Sequence, residues 1–547
     1  MKNIKILDCT LRDGGRIIDC QFDNRTIRNI TRNLSLAGID IIEIGFLRSR
    51  SLVDYKGDST FFTDVYQIKP FIPNNSDKTM FVAFIDFGMF DFSTLERCEN
   101  NFISGIRVGF TKKQFTHLKE EIREALLYVK KQGYKLFVQG VNTLDYSDRE
   151  LLDVIDLVNE IEPYSYGIVD TYGAMYLEDI IHIYNLVDHN LKLSISIDIH
   201  SHNNFQSSFA FAQEIIRHAN GKRNIIFDST LNGMGKCAGN LNTEILADFM
   251  TRKKGSDYDI DKILDTIDCF ITPIKVNYEW GYSVPAFMAG IYKSHPNNIM
   301  YLTEKYRLNS KDIKYIISKI DEDVRQRYDY DNIQRIYKEY NANLIEDNCS
   351  IEELSSIFGD KNILVVVPGR SIDKHMQKIK DYINMEHPLI ISVNFSPNNV
   401  ICDYYFYANA IHWKKICAEI NHNKCILTSN IHENIENAYL VNYSSLIYED
   451  SKLYDNSTIM LLNLLKKLEV RKIALAGFDG FKVNSRNYID DSFLDTNLMI
   501  KERNSEVKKL FNDFRRKVSE KIQVEIITPS IYDPNSKCDY DEEVNPI

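Results

Sequence analysis

At 547 residues the chain is too long for one ordinary core and long enough for two or three domains. Its 44% hydrophobic and 26% charged residues describe a folded protein, and a formal net charge of −11 excludes a general nucleic-acid or anionic-membrane surface. No apolar run approaches the roughly 20 residues that cross a bilayer, and the N-terminal MKNIKILDCT enters a strand without the apolar stretch of a signal peptide, so a cytoplasmic protein with no membrane partner is expected.

The first half has a regular beat. Short apolar runs recur at IKILD (4–8), IDIIEIGF (39–46), TMFVAFID (79–86), ISGIRVGF (103–110), YKLFVQGV (134–141), YSYGIVDT (164–171), LSISIDIH (193–200) and NIIFDS (224–229). Most are separated by segments of helical periodicity, such as FTHLKEEIREALLYVKKQG (115–133) and DRELLDVIDLVNEI (148–161). Eight strands alternating with helices over about 250 residues is the arithmetic of an α/β fold of the (β/α)8 TIM barrel type. An open doubly wound sheet would more naturally use about five to seven strands, and no dinucleotide glycine fingerprint follows the first strand.

A barrel collects its functional residues at the C-terminal ends of its strands. Those ends read DCTLRDGG (8–15), EIGF (43–46), QGVNT (139–143), DTYG (170–173) and HSHNN (200–204), with DSTLNGMGKCAGNLNTE (228–244) after the eighth strand. Carboxylates, an arginine, imidazoles and amides therefore gather on one face. His200 and His202 stand two apart at the end of a strand, so their rings point to the same side, about 7 Å apart at the backbone. A shared metal ion explains that spacing, and paired surface histidines without a ligand are the alternative.

DCTLRDGG, HSHNN and GMGKCAGNLNTE, in this order and on these strands, resemble the DRE-TIM metallolyase (HMGL-like) superfamily, and the likeness is strongest to its 4-hydroxy-2-oxovalerate aldolase-like branch. WGYSVPAFMAGIYKSHPNN (280–298) fits the same branch, so the resemblance covers roughly residues 1–300. It implies a divalent cofactor, Mn2+ or Mg2+, bound by Asp13, His200 and His202 with Asn240 as a weaker ligand. It also implies lyase chemistry on a 2-oxo acid and an aldehyde. Arg12 would stabilise the enolate oxygen; a salt bridge from Arg12 to Asp8 or Glu43 that ties strands together is the structural alternative. Glu43 could orient Arg12 or a metal-bound water, or serve only as a barrel-mouth carboxylate.

One position departs from the pattern. The aldolases of this branch carry a proton-transferring histidine two residues beyond the first glycine of the motif, where this chain has Arg16, and arginine stays protonated. Tyr282, His295 and Tyr172 are the candidates left for moving the proton. Cys237 lies in the glycine-rich loop and is expected to be inert; the ten cysteines as a whole form no CxxC pair and read as reduced thiols.

After the barrel (1–275), residues 276–350 read as a charged helical extension that covers the barrel or makes a subunit contact in a homo-oligomer. From 358 to 547 the runs KNILVVVPGRS, LIISVNFS, CDYYFYAN, KCILTSN, RKIALAGFDGF and QVEIITP announce a Rossmann-like α/β domain. The stretch STIMLLNLLKKLEVRKIALAGFDGF is weakly similar to sialyltransferase-like domains of surface-polysaccharide pathways, and the first turn lacks the three-glycine fingerprint. The expected activity is that of a metal-dependent aldolase for a sugar-like precursor. The alternative is a catalytically inactive barrel acting as a scaffold beside a nucleotide-sugar-related C-terminal domain.

Overall fold

The computed structural model describes residues 3–74, 78–98, 102–219, 221–306, 308, 310–327, 329–342, 344–431, 435–448, 456–482, 487–489 and 500–533. The chain divides into two compact units, Met1–Met300 with Ile320–Tyr328, and Tyr301–Lys319 with Asp329–Ile547. It therefore passes from the first unit to the second, back, and over again before settling in the second.

All eight expected strands of the first unit form: β1 (Ile4–Asp8), β2 (Ile41–Leu47), β3 (Met80–Asp86), β4 (Gly105–Thr111), β5 (Lys135–Val141), β6 (Ser165–Asp170), β7 (Ser196–Ser201) and β8 (Ile225–Ser229). Each is parallel to its neighbours, and β1 pairs with both β2 and β8, which closes the ring into a TIM barrel. The β-branched, near-continuous apolar runs suit strands covered on both faces. A two-residue strand, Phe61–Phe62, adds to the outer end of β2 and has no counterpart in the sequence reading.

The helices match less evenly. Asp148–Ile161 lies where the 3.6-residue period puts it, and its start is fixed by a capping box between Ser147 and Glu150. The single helix expected over 115–133 is two helices, Lys112–His117 and Lys119–Lys131, because Leu118 leaves helical geometry at φ −133°, ψ 37°. Among the described residues the connections from β2 to β3 and from β3 to β4 carry 3-10 turns and, in the first, the short strand Phe61–Phe62, so two of the barrel's crossovers lack an α-helix.

Inside the ring the core is not uniformly apolar. Glu43 on β2, Arg107 on β4, Gln139 on β5, Asp198 on β7 and Asp228 on β8 are all buried. Arg107, 0% exposed, bonds Asp228 at 2.6 Å and Asp198 at 3.0 Å, and faces Glu43 at 3.1 Å. These partners come from strands on different sides of the ring, so the five side chains point inward. Gly167 on β6 makes room for one of them, since a Cβ there would lie 2.0 Å from the Gln139 Oε1.

The second unit holds a seven-stranded, all-parallel sheet: β9 (Asn362–Val366), β10 (Leu389–Val393), β11 (Tyr404–Tyr407), β12 (Cys425–Thr428), β13 (Tyr439–Val441), β14 (Lys472–Ala476) and β15 (Gln523–Ile526). The order is β13-β12-β11-β10-β9-β14-β15, so the sheet grows to one side of β9 and then to the other. Six strands lie in the expected runs; the short edge strand β13 is the addition. Helix Ser457–Lys467 is apolar almost all round and is accordingly buried, packed with helix Ile500–Val518.

Among the described residues, no helix is long and apolar enough to cross a membrane.

Candidate metal centre at the mouth of the barrel

The turn after β1 builds the first wall of the site. The Cys9 carbonyl accepts from the amides of Arg12 (3.1 Å), Asp13 (2.8 Å) and Gly14 (3.2 Å), which folds LRDG back over the strand end. Asp8 anchors the turn's base by accepting from the Thr10 amide (3.0 Å) and the Thr243 hydroxyl (2.7 Å). Burial pushes its carboxyl up to about 6 despite these bonds.

The turn delivers Arg12 and Asp13 to the centre. Arg12 Nε donates to Glu43 (2.6 Å) and Nη1 to Asp13 (2.6 Å), while the guanidinium lies 4.5 Å from the ring centre of Phe84. The salt bridge to Glu43 is thus present, whereas Asp8 turns to Thr10 and Thr243. Burial opposes the charge on Arg12, but Glu43 and Asp13 outweigh it and hold the guanidinium charged. Burial likewise raises the Asp13 carboxyl; Arg12, His202, His200 and Arg16 overcome it and keep the group well below the usual carboxylate range.

His200 and His202 meet Asp13 from the end of β7, two strands away around the ring. Asp13 Oδ2 is 3.5 Å from His202 Nε2 and 3.9 Å from His200 Nε2, and the two imidazole centres are 5.2 Å apart. One donor atom from each of the three lies within 4.8 Å of the others. Burial lowers both imidazoles to about 4, so they are neutral at pH 7, as metal ligands must be. His200 Nδ1 sits 2.9 Å from Asp228 Oδ2; with the proton held there, Nε2 presents its lone pair toward Asp13.

Asn240 closes the group. Its Nδ2 donates to Asp13 (3.0 Å) and to the Met234 carbonyl (3.1 Å), and its Oδ1 is buried with no hydrogen-bond partner. An orphaned oxygen beside one carboxylate and two neutral imidazoles is a donor set that a divalent cation would satisfy. The loop that places Asn240 is tightly built: Gly239 has φ +74°, and a Cβ on it would lie 1.9 Å from the Gly233 carbonyl. A second group, Cys9, His200 and Asp228, is also within ligand distance. Burial raises the Cys9 thiol well above its ordinary value and Asp228 is held by Arg107, so this group offers no thiolate.

The remaining predicted residues are spread around the mouth. Trp280 fixes their segment by donating to the Asn232 carbonyl (2.9 Å), and the Gly281 amide donates to the Cys237 carbonyl (3.1 Å). Tyr282 itself is 59% exposed and makes no hydrogen bond to the metal-binding cluster. His295 is half-buried, with its amide donating to the Arg325 carbonyl (2.7 Å) and its Nδ1 accepting from the Asn297 amide (3.2 Å). Burial lowers the His295 imidazole to about 4, and the charges of Lys236 and Arg16 act in the same direction. The Tyr172 hydroxyl donates to the Gln326 carbonyl at 3.3 Å. Burial pushes the Cys237 thiol up to about 12, in keeping with an inert cysteine.

Three residues of this region were not singled out in the sequence: Asp228, which orients His200, and the pair Arg48 and Asp86 at the ends of β2 and β3, which are salt-bridged. The signal for Asp228 was present, a lone carboxylate within the apolar run IIFDS.

Comparison with known proteins reaches the same half of the chain. Residues 106–269 match the HMGL-like family model. The chain is 25% identical over 323 residues to 4-hydroxy-2-oxovalerate aldolase 2 of Rhodococcus opacus (strain B4), covering 57% of this chain and 88% of the relative. It is 26% identical over 329 residues to 4-hydroxy-2-oxovalerate aldolase of Carboxydothermus hydrogenoformans, covering 57% and 90%. Hydroxymethylglutaryl-CoA lyase from Pseudomonas aeruginosa is a solved structure similar to 51% of this chain and 95% of its own, with 14% identity and a TM-score of 0.41.

Proposed function

We infer, from the premise that the N-terminal barrel belongs to the DRE-TIM metallolyase superfamily, that the chain is a metal-dependent (class II) aldolase. It makes or cleaves the carbon–carbon bond of a 4-hydroxy-2-oxo acid, with pyruvate or a related 2-oxo acid and an aldehyde as the two parts. The observation that carries this reading is the convergence of Asp13, His200 and His202 on one point, with Arg12 bonded to Asp13.

Asp13, His200 and His202, with Asn240, would hold a divalent ion, which would supply Lewis-acid chemistry at the carbonyl of the 2-oxo acid. Arg12 supplies the fixed positive charge beside that carbonyl. Its Nε and Nη1 are committed to Glu43 and Asp13, which leaves Nη2 for a substrate oxygen. When a proton leaves the carbon next to the carbonyl, the electron pair moves onto the keto oxygen, and a preorganised donor there lowers the barrier. Glu43 is a positioning residue: it holds the guanidinium plane and touches no reacting atom. Arg16 is not the base, because a guanidinium cannot act as one at neutral pH. His295, uncharged at neutral pH because of its burial, and Tyr282 are the two side chains proposed for proton carriage.

Solvent deuterium exchange into the methyl group of pyruvate tests this without knowledge of the aldehyde. The Mn2+-loaded protein should exchange. Arg12→Lys keeps the charge and loses the planar two-donor geometry, so it should slow exchange at least about a hundredfold, roughly the 2.7 kcal/mol of one transition-state donor, with metal binding intact. Loss of exchange in Tyr282→Phe or His295→Ala identifies the proton carrier. Wild-type protein with bound metal that exchanges no 2-oxo acid would overturn the aldolase reading.

A further inference from the structure

The mouth of the barrel carries more positive charge than the metal centre uses. Arg16 follows Asp13 in the first turn, Arg48 follows β2, and Lys236 lies in the loop after β8. Arg16 and Arg48 share a single carboxylate, Asp86: Arg48 is salt-bridged to it, and Arg16 Nη2 stands 3.7 Å away. Arg16 Nε lies 3.5 Å from Asp13, a carboxylate already claimed by Arg12 and by the metal-binding group. Neither of the Arg16 contacts is short enough to be a hydrogen bond.

The two guanidiniums are also held in place. Their centres lie 4.7 Å (Arg16) and 4.6 Å (Arg48) from the ring centre of Phe46, so one aromatic ring steadies both planes. Arg48 is only 9% exposed, and its Nη1 is buried without a hydrogen-bond partner. Lys236 makes no salt bridge among the described residues; burial and the charge of Arg16 lower its ammonium, against the weaker pull of Asp19 and Asp13. Two arginines on the one carboxylate of Asp86, one of them with an orphaned buried donor, beside a lysine with no salt bridge among the described residues, is a costly arrangement for a barrel mouth that has nothing to bind.

We propose that Arg16, Arg48 and Lys236 form a second anion subsite beside the metal centre, and that it receives the carboxylate or phosphate group of the aldehyde, which is therefore an acid. The inference rests on the aldolase reading for the word aldehyde; the anion subsite itself stands on the side chains alone. A guanidinium pair recognises either anion through paired N–H donors, and Lys236 adds a point charge. One negative charge of the 2-oxo acid goes to the metal centre, and the second substrate brings the charge that balances the rest.

The test uses the full-length Mn2+-loaded protein with pyruvate and three aldehydes: propionaldehyde, succinic semialdehyde and glyceraldehyde 3-phosphate. An anionic aldehyde should be preferred in kcat/KM by at least about tenfold, worth 1.4 kcal/mol; which anionic aldehyde wins tells carboxylate from phosphate. Arg16→Gln and Lys236→Gln should each erode that preference mainly by raising KM for the anionic aldehyde. Equal kcat/KM for neutral and anionic aldehydes, or a preference that neither variant moves, overturns the proposal. Binding is read separately by calorimetric titration of inorganic phosphate and of succinate. Saturable binding weakened at least about tenfold by Lys236→Gln supports the subsite even if pyruvate fails to exchange, in which case only the aldolase reading falls. Absence of binding by both anions, or binding that neither variant weakens, overturns the subsite even if exchange is normal.

Discussion

The residues that matter at the centre differ in how openly the sequence shows them. Asp13, His200 and His202 are legible because their neighbours are distinctive and because an i, i+2 pair on a strand must share a face. Asp228 is harder to see, since a lone acid in a strand carries no label for the imidazole it faces, yet its 2.9 Å contact with Nδ1 orients His200. Metal binding should therefore depend on all of them in different degrees. Elemental analysis of reconstituted protein should find one divalent ion per chain, lost in His200→Ala and in His202→Ala. Asp228→Asn keeps the shape and removes the charge, and should weaken the metal by about 10–100-fold in a chelator competition, the range for removing a ligand's outer partner. Retention of full affinity in Asp228→Asn would remove Asp228 from the site's supporting cast. Arg16 shows the opposite problem: the sequence reveals an arginine in place of a histidine, and only the structure gives that arginine neighbours, Asp13, Asp86 and Phe46.

Among the elements, strands were more legible than helices, and the reason is physical. A buried parallel strand needs a short, mostly apolar run, and all eight barrel runs have one, although five of them carry an inward polar or charged residue. A helix can be interrupted by one residue without disturbing its apolar period, which is what Leu118 does between Lys112–His117 and Lys119–Lys131. The missing helices after β2 and β3 have no strand-like signal to betray them. The edge strand β13 is three residues long, too short for a period to register. The stretch similar to sialyltransferase-like domains forms helix Ser457–Lys467 and β14, elements any parallel α/β sheet uses. One element offers a pH signature. Asp8 ties the end of β1 to Thr243 at the start of helix Thr243–Lys254, and its folded pKa of about 6 exceeds the ordinary 3.8. Between those values the native state holds more protons than the unfolded chain, so this group's contribution favours folding at low pH and is lost as pH rises through about 6. Asp8→Asn lacks the titration. The difference in Tm, variant minus wild type, should rise from pH 4 to pH 7; a flat difference would mean that Asp8 is not raised.

At the scale of the whole molecule, composition suggested a boundary near 345–360, whereas the units divide after Met300, Lys319 and Tyr328, a double crossing that no local sequence signal marks. Helix Ser310–Ser318 pairs with helix Tyr330–Asn341: Ile313, Ile316 and Ile317 are buried, as are Ile333, Ile336 and Tyr337, and the Tyr340 hydroxyl donates to Asp312 at 2.8 Å. A fragment spanning 1–345 keeps this pair whole and should be soluble and bind metal. A fragment ending at 328 leaves three isoleucines without their cover and should aggregate, as gel filtration of the two would show. Equal behaviour would mean that the pairing contributes little. The charged interior of the barrel bears on how such a chain acquires its shape. Arg107 reaches Glu43, Asp198 and Asp228 on strands drawn from both ends of the first 230 residues. A half-made ring would hold that guanidinium out of water with part of its counter-charge still in the unfolded tail. Closing the ring with β8 and its Asp228 completes the counter-charge of Arg107, so the charged interior favours the whole barrel over part of it.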